Sequence, residues 1–225
     1  MNCLHFEEID STNKYLKENF ASLENFTFVS TNYQNKGKGR ENRIWYSNKS
    51  ENLLFSILIK EKSLLKMFNV LSIGTATLIA RFLELNGIKN VSVKWPNDVY
   101  VNDKKICGVL LEGNINEYLV IGVGLNVNQT MFDKDYRVEP TSMKIEKNKD
   151  INLLYLEVSL FEFLFKHINQ TSFNNKTLKF LEKHNYLLGK KIKAGNISGV
   201  VSGISENFEL IIDDKKINSS EIEIL

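Results

Sequence analysis

The sequence predicts an α+β fold in two domains, a larger one over residues 1–187 and a small C-terminal β-barrel over residues 188–225. Three observations support this prediction. Apolar and polar residues alternate and then give way to an apolar run within residues 91–111, which is typical of paired strands. Residues 67–86 carry an apolar stripe at helical spacing. From residue 188 onward, glycines separate short alternating runs, as in small barrels.

The composition supports a core but excludes several classes of protein. The chain has 225 residues, of which 43% are hydrophobic, enough for one large domain and a small one. Its net charge of +2, from 29 basic and 27 acidic residues, does not favour a nucleic-acid binder. Two cysteines, Cys3 and Cys107, give no disulfide framework and predict a reducing, cytoplasmic location. The sequence begins without an apolar signal region, and its longest apolar stretch contains charged residues, so we expect no membrane partner.

The elements of the larger domain can be placed in order from periodicity and turn residues. We predict strands at residues 4–9, 26–34, 52–59, 91–95, 99–101, 105–111 and 118–128. We predict helices from residue 15 and at residues 67–86, 151–169 and 174–184, with Gly87 ending the second of these. Residues 128–149 are expected to form an irregular connector.

Short polar residues precede the first helix, in the order Asp10, Ser11, Thr12 and Asn13. Such residues commonly cap a helix by accepting hydrogen bonds from its first N–H groups. Their hydroxyl and amide groups at a helix start can also bind a polar ligand. The sequence leaves both interpretations open.

A basic loop containing two glycines follows the second strand. Gly37 and Gly39 allow the backbone to adopt positive φ and to turn its N–H groups toward an anion. The loop carries three cations suited to phosphate or carboxylate, namely Lys38, Arg40 and Arg43. A solvated basic loop is the alternative, because a lone Gly-x-Gly is a weak signal.

Trp45 lies just beyond these cations and offers a flat surface on which a base or a guanidinium can stack. Glycines and like charges together predict that residues 36–50 are mobile in the absence of a ligand.

The segment Lys94-Trp95-Pro96-Asn97-Asp98 has the strongest functional character. Pro96 removes a backbone donor, so the strand must stop or shift there and hold Asn97 and Asp98 at its end. Lys105 opens the next strand. Two lysines, an amide and a carboxylate near strand ends suit an anionic ligand, with the carboxylate left for a metal or an amine. An ordinary hairpin with polar ends is the alternative.

The last predicted strand of the larger domain contains Gly122 and Gly124 on one face. Glycines inside a strand often mark the close approach of a ligand or another backbone. Asn126 follows as a polar residue at the open end of this strand. Cys3 and His5 share a strand face, but no further ligands accompany them, so we predict no metal site there.

Together these segments resemble the biotin–protein ligase family over nearly the whole chain. The resemblance is carried by Asp10-Ser11-Thr12-Asn13, residues 34–45, Lys94-Trp95-Pro96-Asn97-Asp98, Lys105-Ile106-Cys107-Gly108, Ile121-Gly122-Val123-Gly124-Leu125-Asn126 and the C-terminal barrel. It implies a mixed β-sheet with flanking helices, related to class II aminoacyl-tRNA synthetases. It also implies that biotin and ATP form biotinyl-5′-AMP with release of pyrophosphate. Biotin is then transferred to a lysine of a carrier domain of a biotin-dependent carboxylase.

The resemblance also assigns roles to residues. Biotin would be bound by Ser11, Thr12, Asn13, Gln34, Gly37, Lys38, Gly39, Arg40 and Lys105. ATP and the adenylate would be bound by Arg40, Arg43, Trp45, Asn97 and Asn126. The catalytic residues would be Lys105, Arg40, Lys94 and Asp98. Mg²⁺ would accompany ATP without being fixed by the protein alone, with Asp98 as its one candidate contact.

Two positions depart from the family loop, where Lys38 and Asn42 replace an arginine and a glycine. Lys38 loses the bidentate geometry of arginine, and Asn42 tolerates left-handed φ. Only ten residues precede Ser11, so we expect no N-terminal DNA-binding domain and no DNA partner. Homodimerisation is left open. Two alternative functions remain, a lipoate– or octanoate–protein ligase of the same fold and a non-catalytic nucleotide-binding module.

Overall fold

A seven-stranded mixed sheet is the centre of the molecule. The structure, a computed structural model, describes residues 2–134, 136–168, 170, 173–218 and 221–225, without the side chains of Asn42 and Asn69. The strands are β1 (Asn2–Phe6), β2 (Thr27–Thr31), β3 (Asn52–Ile59), β4 (Val91–Lys94), β5 (Asp98–Val101), β6 (Lys104–Asn114) and β7 (Tyr118–Asn126). They lie in the order β1-β2-β3-β7-β6-β5-β4, with β1 parallel to β2 and the other neighbours antiparallel. The mixed sheet implied by the family resemblance is therefore confirmed.

Helices cover both faces of this sheet. They are α1 (Thr12–Asn19), α2 (Lys62–Leu65), α3 (Phe68–Leu85), α4 (Met143–Lys147), α5 (Leu153–Ile168) and α6 (Phe173–His184). The main core lies between the sheet and α3, α5 and α6, whereas Leu16 of α1 packs on Leu58 and Val120 on the other face. All of β3 is buried because both of its faces are covered, which explains its near-continuous apolar sequence. This arrangement places the start of α1 against β3 and β7.

Two helix boundaries illustrate what the sequence predicted and what it missed. The helix expected over residues 67–86 is α3, and Gly87 follows it at φ 83° while Ile88 N–H donates to Leu83 O at 3.0 Å. Residues 128–149 were expected to be irregular, yet they contain α4, whose N-cap Ser142 accepts a hydrogen bond from Ile145 N–H. The prediction failed there because the helix is too short to display a periodic stripe.

The C-terminal segment forms a second, antiparallel sheet. Its strands are β8 (Lys191–Ala194), β9 (Ile197–Ile204), β10 (Leu210–Ile212), β11 (Lys215–Ile217) and β12 (Ile222–Ile224), in the order β11-β10-β9-β8-β12. The small unit of short strands expected at the C-terminus is therefore present as an antiparallel five-stranded sheet, and within the described residues β11 and β12 do not pair to close it into a barrel. The two edge strands have three residues each and present few backbone groups with which to close.

The second sheet docks on the segment singled out from the sequence. Trp95 is 2% exposed, and its indole N–H donates to the backbone carbonyl of Phe208 at 2.9 Å. Val93 of β4 forms an isolated bridge with Asn185, which precedes β8. Each helix in the described ranges is too short or too polar to cross a bilayer.

Candidate active site

A cavity of about 550 Å³ lies where the start of α1, the glycine-containing loop and β4–β7 meet. Its wall contains most of the residues singled out from the sequence, namely Ser11, Thr12, Asn13, Gln34, Lys38, Gly39, Arg40, Arg43, Trp45, Lys94, Asn97, Asp98 and Lys105. Gly37 and Asn126 are buried outside this wall. Segments far apart in sequence therefore converge on one concave site, the usual geometry of a small-molecule pocket.

The start of α1 supplies the polar end of the cavity. Ser11 is the N-cap, and its hydroxyl accepts a hydrogen bond from Lys14 N–H at 3.4 Å. Thr12 N–H donates to Gln34 Oε1 at 2.9 Å, and Thr12 is 2% exposed. Ser11 thus caps the start of the helix and lines the cavity together with Thr12 and Asn13 of the first turn, so the two interpretations left open by the sequence are compatible.

The glycine-containing loop is a short hairpin rather than an anion nest. Trp45 N–H donates to Gly37 O at 3.0 Å, and Gly39 N–H donates to Arg43 O at 2.7 Å. Gly39 has φ −107° and Gly37 also lies outside the left-handed region, whereas Glu41 takes φ 56°. The positive φ predicted for the two glycines is therefore wrong. Gly37 is needed for space, because a Cβ there would lie 2.7 Å from Trp45 O. We expected Asn42 to tolerate left-handed φ, but the positive φ described in this turn belongs to Glu41, and the side chain of Asn42 lies outside the described part of the structure.

Trp45 lies on a groove formed by glycines of β6 and β7. A Cβ at Gly124 would lie 2.4 Å from Trp45 Cε2, and one at Gly108 would lie 3.0 Å from Trp45 Cζ3. A Cβ at Gly122 would lie 2.2 Å from Asn13 Oδ1. The close approach predicted at Gly122 and Gly124 is present, but the structure places the side chains of Asn13 and Trp45 there rather than a backbone.

Cations and one carboxylate form the opposite end of the cavity. Lys105 Nζ lies 2.8 Å from Asp98 Oδ2 and 5.5 Å from the centroid of the Trp45 ring. Lys94 faces Asp98 across the β4–β5 ladder. Burial lowers the pKa of the Lys94 ammonium, while the nearby Asp98 carboxylate acts to raise it. One carboxylate between two lysines leaves net positive charge, as an anionic ligand requires.

Asn97 fixes the turn that carries these groups. Its side-chain Nδ2 donates to Val109 O at 2.8 Å, and its carbonyl Oδ1 accepts from Arg40 Nη1 at 3.3 Å. Val109 N–H donates in return to Asn97 O at 2.9 Å. The turn is therefore held against β6 and also contacts the loop guanidinium.

The sequence did not identify the rim of the cavity. It includes Tyr136, Arg137 and Val138 of the connector, with Glu221 and Ile222 of the second sheet. Glu221 Oε1 forms ion pairs with both Arg43 and Arg137. The Arg137 hydrogen bond holds the pKa of the Glu221 carboxyl below its usual range. The connector carries aromatic residues that could have indicated a packed segment. In the structure, Tyr136 of the connector meets Tyr46 of the loop edge-to-face, with ring centroids 6.1 Å apart.

Three buried polar atoms in or next to the site have no hydrogen-bond partner among the described residues. They are Trp45 Nε1, Asp98 Oδ1 and Asn126 Oδ1. Asn126 is oriented by donating from Nδ2 to Thr141 O at 3.0 Å, so its carbonyl oxygen remains available. Buried polar atoms without a partner cost free energy, and a bound ligand or water can satisfy them.

Comparison with known proteins agrees with this geometry. The model of the biotin/lipoate A/B protein ligase family matches residues 5–128. The bifunctional ligase/repressor BirA of Escherichia coli is 34% identical over 125 residues, which are 55% of this chain and 39% of that protein. BirA of Bacillus spizizenii is 26% identical over 215 residues, or 88% of this chain and 66% of that protein. This chain therefore spans less than two thirds of these relatives.

A solved structure resembles the fold over its full extent. The biotin protein ligase of Aquifex aeolicus, determined in complex with biotin and ATP, has a TM-score of 0.83 and 29% identity. The match covers 100% of this chain and 98% of that one. The family model spans more than half of the sequence, and both the fold and the cavity agree with it, so this chain belongs to the biotin/lipoate A/B protein ligase family.

Proposed function

We propose that this chain is an ATP-dependent biotin–protein ligase. It forms biotinyl-5′-AMP from biotin and ATP and then transfers biotin to a lysine of a biotin carboxyl carrier domain. The observation that carries the proposal is one cavity that presents the amide of Asn13 beside Gly122 and the ammonium group of Lys105 beside Gly108, so that neutral groups and cations are separated along its wall. Biotin has the same division, with a neutral cyclic urea at one end and a carboxylate at the other.

The neutral end suits the urea. Ser11, Thr12 and Gln34 present hydroxyl and amide groups from buried or half-buried positions. A urea offers two N–H donors and one carbonyl acceptor, which such groups can satisfy together. A lipoyl or octanoyl chain would leave them unpaired, at about 1–3 kcal/mol for each group. This difference favours biotin over the lipoate branch of the family.

The cationic end suits adenylation. A carboxylate oxygen of biotin attacks the α-phosphorus of ATP, an O–P bond forms, the bond to the bridging oxygen breaks, and pyrophosphate leaves. Two anions must approach each other, so preorganised cations lower the barrier. Lys105, Arg40 and Lys94 supply this charge at the cavity wall. In the second step the carrier amine attacks the biotinyl carbonyl, AMP leaves, and the amine gives up a proton.

We assign the nucleotide to the part of the cavity that is lined by the glycine-containing loop. Arg43 and Asn97 line the cavity there, and Trp45 offers both its ring face and an indole N–H that finds no acceptor in the described ranges. Asn126 Oδ1, behind the wall, has no donor among the residues that the structure describes, and it is suited to an exocyclic amino group or a bridging water.

The site fits Mg²⁺ only as a companion of ATP. Among the described residues, no three His, Cys, Asp or Glu side chains converge on a metal position. Asp98 has one oxygen paired with Lys105, and its other oxygen has no hydrogen-bond partner within the described part of the chain, so it can offer a single contact. Mg²⁺ commonly keeps several waters and binds phosphate oxygens, so most of its ligands would come from ATP.

We further propose the division into residues 1–187 and 188–225 and a reducing, cytoplasmic setting, which suits one buried and one exposed free cysteine.

The test is incubation with biotin, ATP, Mg²⁺ and an isolated biotin carboxyl carrier domain, followed by intact-mass measurement of the carrier. We expect one biotinyl addition that depends on ATP. Parallel reactions with octanoate and lipoate should leave the carrier unmodified. Acylation by either acid at a rate comparable to biotin would refute the assignment, and ATP binding without pyrophosphate release would favour a binding module.

A further inference from the structure

A chain of hydrogen bonds runs beneath the neutral end of the cavity and ends on a carboxylate that is not part of the wall. Glu112 of β6 accepts from Asn13 Nδ2 at 2.7 Å through Oε2 and from Lys17 Nζ through Oε1. Asn13 Oδ1 accepts from Ser56 Oγ at 2.6 Å. Ser56 Oγ lies 2.6 Å from Thr12 Oγ1. Two wall residues, Thr12 and Asn13, are thus connected to Glu112.

Counting hydrogens fixes the direction of every bond in this chain. An ionised carboxylate only accepts, so the NH₂ group of Asn13 faces Glu112 and its carbonyl oxygen faces Ser56. Ser56 has one hydroxyl hydrogen and donates it to Asn13. The hydrogen between the two hydroxyls must then come from Thr12, which leaves the lone pairs of Thr12 free to accept.

Gln34 is oriented by the same residues. Its Oε1 accepts from Thr12 N–H at 2.9 Å, and it also lies 3.2 Å from Thr12 Oγ1. Because the hydroxyl hydrogen of Thr12 is directed to Ser56 at the shorter distance, the backbone N–H is the main partner of Gln34 Oε1. Gln34 is then left with the N–H donors of its amide for a ligand.

We propose that Glu112 is a positioning residue that sets the donor and acceptor pattern of this end of the cavity, and thereby selects a cyclic urea. This inference rests on the proposed function. Thr12 would accept from a ureido N–H, while Gln34 would donate to the ureido carbonyl. Without the carboxylate, the amide of Asn13 can rotate and the two hydroxyls can reverse, so the pattern is no longer unique.

Two further observations support the fixed pattern. Burial acts to raise the pKa of Glu112, but hydrogen bonds from Lys17 and Asn13 outweigh it and hold the pKa below its usual range. Glu112 is therefore ionised at neutral pH and serves only as an acceptor. Gly122 lies against the Asn13 amide, because a Cβ there would be 2.2 Å from Asn13 Oδ1. Glycine at this position lets Asn13 reach both Glu112 and Ser56.

The decisive comparison is between the two partners of Glu112. Glu112→Ala removes the acceptor that orients Asn13, whereas Lys17→Met removes the Lys17 hydrogen bond to the same carboxylate and leaves the Asn13 contact in place. In biotin-dependent pyrophosphate release, we expect Glu112→Ala to raise KM for biotin about 10-fold or more, as for one well-placed hydrogen bond. KM for ATP should stay within about 2-fold. Lys17→Met should leave both constants within about 2-fold, because Asn13 keeps its partner.

Two measurements separate positioning from simple stabilisation. In a background of Asn13→Ala, Glu112→Ala should add less than about 2-fold to KM for biotin, because the two residues act through one contact. An analogue whose ureido oxygen is replaced by an imino group inverts the pattern at that atom. The preference for biotin over this analogue, measured as a ratio of kcat/KM, should fall in Glu112→Ala and stay unchanged in Lys17→Met.

Circular dichroism and thermal melting check that each variant is folded. If Glu112→Ala is not folded, Glu112→Gln keeps the size of the side chain, and we expect a rise in KM for biotin of about 3-fold or more. Equal changes in Lys17→Met and Glu112→Ala, with an unchanged analogue ratio, would overturn the proposal and make Glu112 a structural ion-pair partner. Loss of biotin-dependent pyrophosphate release in the unaltered chain would instead refute the proposed function and, with it, this inference.

Discussion

Lys105 and Lys104 are adjacent lysines that provide a matched pair for testing the cationic end of the cavity. Lys105 Nζ lies 2.8 Å from Asp98 Oδ2, and the side chain is 28% exposed at the cavity wall. Lys104 points away, where its Nζ contacts Glu139. We therefore compare Lys105→Ala with Lys104→Ala in ATP- and biotin-dependent pyrophosphate release.

The magnitude follows from the charge that Lys105 places near the reacting phosphate. A unit charge about 4 Å from a phosphoryl oxygen, at an effective dielectric constant near 20, contributes about 4 kcal/mol. Lys94 and Arg40 also line this wall and would offset part of its loss. Loss of one preorganised charge-stabilising donor costs about 10²- to 10³-fold in rate. We expect Lys105→Ala to lower kcat/KM by about 10²-fold or more and Lys104→Ala to change it by less than about 2-fold.

The fold should survive this change. Asp98 loses one partner but keeps Lys94 opposite it in the β4–β5 ladder, so the carboxylate is not left without a nearby cation. A loss of about 1–2 kcal/mol would lower Tm by roughly 2–8 °C in a chain of this size. Native circular dichroism with pyrophosphate release within about 3-fold of the unaltered protein would refute the assignment of Lys105.

Four further predictions follow from the site. Asp98→Asn should slow adenylation and transfer unequally, in single-turnover assays of each half-reaction, and normal rates in both would leave Asp98 a structural residue. Limited trypsin digestion should cut within residues 36–50 in the free protein and be suppressed by biotin with ATP, whereas equal cleavage would argue against loop closure. Gly124→Ala should displace Trp45 and raise KM for ATP about 10-fold or more without loss of fold, which unchanged ATP kinetics would contradict. Thr12→Val should weaken biotin use about 10-fold without creating octanoate use, and efficient octanoate turnover would contradict the role of the polar end.

Local signals in the sequence predicted the elements and the central motif well. The bounds of β3 match the predicted strand at residues 52–59, because a near-continuous apolar run marks a strand buried on both faces. The helix α3 lies within the predicted helix, because its apolar stripe spans several turns. Asp98 and Lys105 were predicted to lie together because one hairpin connects them. The register pairs Lys105 with Tyr100, two residues from Asp98, and the two side chains meet at 2.8 Å. Short-range geometry was sufficient for this part of the site.

The rim was not predictable in the same way. Arg137 and Glu221 are 84 residues apart, and neither lies in a pattern that predicts the other. The loop turn was also misplaced, because intrinsic preference favours positive φ at glycine, whereas hairpin closure imposed it on Glu41. The second sheet showed the alternation expected of a small barrel, but closure depends on edge pairing that periodicity does not report.

The hydrogen bond from Trp95 to Phe208 affects how far the amino-acid sequences of the two sheets can change independently. The acceptor is a main-chain carbonyl, which every residue type carries, so the contact depends on the backbone path at position 208. That path includes φ 63° at Phe208, in the left-handed region. A chimera that exchanges the second sheet for that of a relative should therefore keep the indole satisfied even if few side chains are shared, provided that this turn is retained. Trp95 cannot be exchanged as freely, because its side chain is the hydrogen-bond donor. The turn that carries Asn97 and Asp98 also begins directly after it.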